Sequence, residues 1–98
     1  MDRNETIREI RNALKRRSQQ RWSVTGGRGT AYCWINVTAN KADHSMTEDE
    51  RTELGRLLGL PPVHFQGYSI PAGNDFYQEA IDRANGRTPS IVGKPYWD

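Results

Sequence analysis

Apolar and polar positions along the chain fall into a short series of distinct patterns. From about Arg3 to Arg17, Ile7, Ile10 and Leu14 recur at spacings of three and four, the stripe of an amphipathic helix. Asp2 followed by Glu5 resembles a capping box, and Lys15, Arg16 and Arg17 stand where a helix dipole favours cations. Two β-rich runs come next, Trp22–Thr25 and Thr30–Thr38, joined by Gly26-Gly27-Arg28-Gly29, and they predict a β-hairpin. Alternation in the second run puts Ala31, Cys33, Ile35 and Val37 on the core face, and Tyr32, Trp34, Asn36 and Thr38 on the other.

Residues 39–46 lack periodicity and read as a polar loop. A second helix starts at Thr47-Glu48-Asp49-Glu50, a capping box of the preferred residue types. It carries Leu54, Leu57 and Leu58 inward and stops at Gly59, ahead of Pro61-Pro62. Val63–Ile70 alternates as a third strand, with Gly67 a bulge or a close approach. A third helix is expected from Asn74, its cap, to Asn85, with Phe76, Ala80, Ile81 and Ala84 inward and Gly86 at its end. The tail, residues 87–98, reads as extended; Ile91, Val92, Tyr96 and Trp97 are apolar enough to dock on the domain or on a partner. These patterns predict a single α+β domain over residues 1–98, in the order α-β-β-α-β-α, with helices packed against a small antiparallel sheet.

Length and composition narrow the picture. A chain of 98 residues with 35% apolar content buries about 60 to 65% of its unfolded surface, so a ligand site belongs on the surface or between subunits. No stretch approaches the roughly 18 apolar residues of a membrane span, and the start MDRNETIREI lacks a secretory core, which points to a cytoplasmic protein. The single cysteine, Cys33, excludes an internal disulfide. Homodimerisation is a reasonable expectation for so small a chain with a hairpin edge to cover.

The net charge of +2 conceals an asymmetry. Residues 1–30 hold eight basic and three acidic side chains, net +5, and residues 31–98 hold six and nine, net −3. One basic face able to attract phosphates is implied, although charge of this kind also simply keeps small domains dissolved.

The glycine turn Gly26, Gly27, Arg28, Gly29 admits two readings: a plain hairpin connection, or an anion-binding concavity of backbone N–H groups with Arg28 as a fork. Tyr32 and Trp34, with Trp22 across the hairpin, likewise admit two: a second small core, or a platform that stacks bases while Arg21, Arg28 and the first helix hold phosphates. The leading expectation is a non-catalytic binder of a nucleotide or nucleic acid through Arg21, Trp22, Gly26, Gly27, Arg28, Gly29, Tyr32 and Trp34, with no cofactor and no metal. An alternative is a protein-interaction module or inhibitor using the acidic second helix, Glu48, Asp49, Glu50 and Glu53, and the apolar tail. An enzyme with His44 or His64 as base is a third, and no nucleophile or metal motif accompanies either histidine; His44 near Asp43 and Glu48 is a chance-level metal spacing.

The run from Ile7 to Val37 also carries a resemblance. Ile10-Arg11 through Leu14-Lys15, then Arg21-Trp22-Ser23-Val24, a glycine turn and Tyr32-Cys33-Trp34-Ile35-Asn36-Val37 resemble small bacterial, phage and plasmid proteins. They are distantly similar to the large polyvalent protein-associated domains of mobile elements. The resemblance implies an accessory protein of a mobile element or phage, one that counters host defence by binding, and it supplies no catalytic residues.

Overall fold

A computed structural model describes residues 2–29, 32–41 and 45–92. The order is α1 (Arg3–Arg17), β1 (Trp22–Gly26), β2 (Ile35–Ala39), α2 (Glu48–Leu58), β3 (Tyr68–Ile70), α3 (Asn74–Ala84). The three strands form one antiparallel sheet in the order β1-β2-β3. The α+β class and the element order match the sequence pattern.

Local chemistry sets the boundaries. The Asp2 carboxylate accepts the Glu5 N–H at 2.7 Å and starts α1. Thr47 and Glu50 form the full reciprocal capping box of α2, and Gly59 ends it in the left-handed region at φ 70°. Asn74 does not cap α3: Gly73 occupies the cap position without a side-chain bond, and Asn74 is already helical. The third strand is shorter than its alternation suggests, because His64 and Gly67 bridge to each other and turn the chain before Tyr68. Gly67, at φ 105°, lies so close beneath β2 that a Cβ would collide with the Val37 carbonyl.

One side of the sheet makes the core. Trp22 and Val24 of β1, Ile35, Val37 and Ala39 of β2 and Ile70 of β3 are buried against Ile10, Ala13 and Leu14, against Leu54, Leu57 and Leu58, and against Tyr77, Ala80, Ile81 and Ala84. Tyr77, outside the expected stripe of α3, is among the buried set, and its hydroxyl donates to the Cys33 carbonyl. Burial raises the pKa of Tyr68 to about 12, and that of Tyr77 in the same direction.

Helix α1 ties the other elements together through guanidinium groups. Arg17 donates to the Leu57 carbonyl at 2.8 Å and the Ala84 carbonyl at 2.7 Å, so one side chain satisfies the open C-terminal carbonyls of both α2 and α3. Arg11 donates to the Val24 carbonyl on the outer edge of β1 at 2.9 Å. Arg3 donates to the Tyr32 carbonyl at 3.0 Å and the Gly27 carbonyl at 3.4 Å.

Replacing Arg17 by Met should lower stability by about 2–3 kcal/mol, since two helix-end carbonyls lose a charged donor; urea unfolding measures it. Stability should also carry an acid limb from Glu50. Its carboxylate takes the Lys41 ammonium at 2.5 Å and the Thr47 N–H at 2.9 Å, and these bonds, Lys41 foremost, lower its pKa from 4.5 to about 2. A depressed folded-state pKa stabilises above the unfolded value and ceases to do so as pH falls through the folded one. The difference in urea midpoint between the native chain and Glu50→Gln should therefore be constant above about pH 6 and shrink between pH 4.5 and about 2.

Candidate functional site

The expected ligand residues separate into two places. Strand β1 pairs with β2 in a register that sets Trp22 opposite Ala39 and Gly26 opposite Ile35, so Trp22 and Trp34 stand at opposite ends of the sheet. Trp22 is 8% exposed, points into the core and donates its indole N–H to the Ser18 hydroxyl at 3.1 Å. It belongs to no common ring platform with Tyr32 and Trp34, because β1 alternates with Trp22 and Val24 inward. Nor do Tyr32 and Trp34 lie on a strand, since β2 begins only at Ile35. They belong to the connection and are exposed, 54% and 40%. Cys33 is exposed there too, not inward as strict alternation would have it.

Arg3 explains the late start of β2. Its guanidinium enters the inner side of the connection, takes the carbonyls of Gly27 and Tyr32 and lies 3.9 Å from the centre of the Tyr32 ring. Gly26 is required beside it, because a Cβ would collide with the Arg3 guanidinium. The Gly27 N–H is meanwhile spent on the Trp34 carbonyl at 2.8 Å, and the Tyr32 N–H on the Gly29 carbonyl at 3.1 Å. Carbonyl oxygens, not N–H groups, thus converge inside the turn around a cation of the chain's own. The Gly27 N–H is thereby turned away from the anion cradle expected of Gly26, Gly27 and Gly29. Arg28 is exposed just beyond it.

Arg21 and Trp22 contribute instead to a cleft of about 530 Å³ between the second half of α1 and the outer edge of β1. Arg11, Leu14, Lys15 and Ser18 line the helix side; Arg21 through Thr25 line the strand side, and Gln19, Gln20 and Asn40 close the end. Its lining among the described residues includes three cations and no carboxylate, imidazole or thiol. Lys15 and Arg21 are exposed and make no hydrogen bond or ion pair among the described residues, whereas Arg11 reaches across to Val24. Glu50, bonded to Gln20 of the lining at 2.8 Å, is neutralised by Lys41. Sequence reasoning missed Arg11 and Lys15 individually; the signal was their spacing of four on the polar side of the apolar stripe.

The remaining candidates are dispersed. His64 is exposed, stacks at 4.2 Å on Phe65 and accepts the Gln66 N–H on its Nδ1, a local turn contact. No group of three metal-ligating side chains gathers among the described residues, while His44 and Asp43 lie outside them. Of the acidic second helix, Glu50 and Glu53 are paired with Lys41 and Arg56, and Glu48 and Asp49 are exposed. In the tail, Ile91 and Val92 are exposed, and Tyr96 and Trp97 lie outside the described residues. No helix of the described residues is long and apolar enough to cross a membrane. No family model matches the chain, and neither does any curated protein or solved structure.

The two tryptophans should respond differently to truncation. Trp22→Ala is expected to cost about 3–5 kcal/mol of stability and Trp34→Ala at most about 1 kcal/mol. Equal losses in denaturant unfolding would contradict the assignment of Trp22 to the core and Trp34 to the surface.

Proposed function

We propose that this protein is a non-catalytic binding module for a phosphate-bearing ligand, a nucleotide or a nucleic acid, held in the cleft between α1 and β1. The observation that carries the reading is the charge of that cleft: Arg11, Lys15 and Arg21 line it, no carboxylate among the described residues does, and two of the three cations are unengaged. Cations gathered without counter-charges repel one another, and an anion placed between them relieves that repulsion. Gln19, Asn40 and Ser23 add neutral donors at the rim, and Leu14, Val24 and Trp22 supply an apolar floor, the usual make-up of a site for a flat polar group bearing phosphate. The lining, which holds cations and neutral donors but no carboxylate or imidazole among the described residues, supports a binding rather than a catalytic reading.

The mobile-element context implied by the resemblance of residues 7–37 fits a protein that captures nucleic acid or a nucleotide signal. Exposed Ile91 and Val92 favour a second reading, contact of the tail with a protein partner, which would use a different surface.

Titration with adenosine triphosphate, followed by amide chemical shifts, tests the cleft. The expected result is perturbation centred on Lys15 and Arg21 to Thr25, weakened at least tenfold in the Lys15→Gln/Arg21→Gln double variant and by added salt. Shifts centred on Arg28 and Tyr32, or unchanged affinity in the double variant, would refute the site.

A further inference from the structure

The unengaged cations extend past the cleft, and their placement identifies the kind of phosphate ligand. Helix α1 and strand β1 run side by side in opposite directions. The chain turns between Ser18 and Arg21, Arg11 meets Val24, and Arg3 meets Gly27. The steps agree: Arg11 to Arg3 is eight helical residues, about 12 Å, and Val24 to Gly27 is three extended residues, about 10 Å. A continuous seam therefore runs the length of β1.

Cations follow that seam. At about 100° per helical residue, Arg8, Arg11 and Lys15 fall within about 60° of arc on α1. The side of α1 that faces the cleft thus carries its charge on beyond the cleft to Arg8, which is exposed and makes no hydrogen bond or ion pair among the described residues. Arg21 stands at one end of β1 and Arg28, exposed and likewise without a hydrogen bond or ion pair among the described residues, follows its other end. At that far end the Gly27 N–H holds the carbonyl of Trp34, whose ring is open to solvent.

We infer that the ligand is a single-stranded nucleic acid lying along the α1–β1 seam, its successive phosphates over Lys15 and Arg21, Arg11, Arg8 and then Arg28, with Trp34 available to stack a base. This inference rests on the phosphate reading of the cleft and goes further than it. A mononucleotide would fill the cleft and leave Arg8 and Arg28 without a role. A duplex presents two backbones, whereas these cations lie in one file. Stacking on an exposed indole and charge along one line are the means by which single strands are held without sequence preference.

The test is competition by fluorescence anisotropy against a labelled eight-nucleotide oligothymidylate. Unlabelled competitors are thymidine triphosphate, oligothymidylates of two, four and eight nucleotides, an eight-base-pair duplex and a glutamate octapeptide. Affinity is expected to rise with strand length up to about four nucleotides and then level. The logarithm of affinity should fall against the logarithm of salt with a slope of about −2 to −3, as three or four neutralised phosphates require. Arg8→Gln, whose side chain supports nothing in the fold, should weaken the eight-nucleotide strand severalfold and leave the triphosphate unchanged.

If the triphosphate binds as tightly as the longest strand, the cleft stands as a phosphate site and the strand proposal is overturned. It is overturned equally if the duplex binds tighter than the strand, or if the glutamate peptide competes as well as the strand does. Absence of binding by strand and triphosphate alike removes both this inference and the function it rests on.

Discussion

Guanidinium groups of the first helix donating to backbone carbonyls of other elements are the constraint around which this small fold is arranged. A chain of this length has only one thin core, and its helix ends and sheet edge carry carbonyls that no regular hydrogen bond reaches. Arg17 reaches the ends of α2 and α3, Arg11 the edge of β1, and Arg3 the interior of the hairpin connection. Arginine suits this work because its planar fork donates in several directions and stays charged. One helix thereby fixes two helix ends and a strand edge, and sets where the second strand of the hairpin can begin.

That arrangement decides what the basic N-terminal third can do for a ligand. Its charge is not one undivided patch. Arg3, Arg11 and Arg17 serve the backbone and Arg16 bonds Asn85, while Arg8, Lys15, Arg21 and Arg28 face solvent without partners among the described residues. The unengaged cations lie along the junction of α1 and β1, where the cleft is. Arg3 and Arg17 serve the backbone on one side of α1 and Arg8 and Lys15 stand on another, with Arg11 at the seam between them.

The fold was largely legible in the sequence because its signals are local. The 3.6-residue stripe of α1, the capping box at Thr47, the left-handed Gly59 and the inward set Ile35 and Val37 each follow from neighbours within a few positions. The site was legible only in part. Strict alternation carried the second strand back through Cys33 and Trp34, but the strand begins at Ile35, and Arg3, remote in sequence, occupies the turn before it. Gly26, read as part of a cradle for an anion, makes room for the Arg3 guanidinium. Hairpin pairing around the glycines would set Trp22 across from the other rings, whereas its register opposite Ala39 leaves it in the core. Arg21, singled out in the sequence, lines the cleft, and its companions Arg11 and Lys15 become visible only once α1 is laid against β1.

The division of arginines into those bound to the backbone and those left free can be observed directly. Arginine side-chain nitrogen NMR at low temperature reports rotation about the guanidinium C–N bonds. Slow rotation and separate, protected Nη resonances are predicted for Arg3, Arg11 and Arg17, with fast averaging for Arg8, Arg21 and Arg28. Fast averaging at Arg3 and Arg17, with the domain folded and stable, would contradict the account at its base.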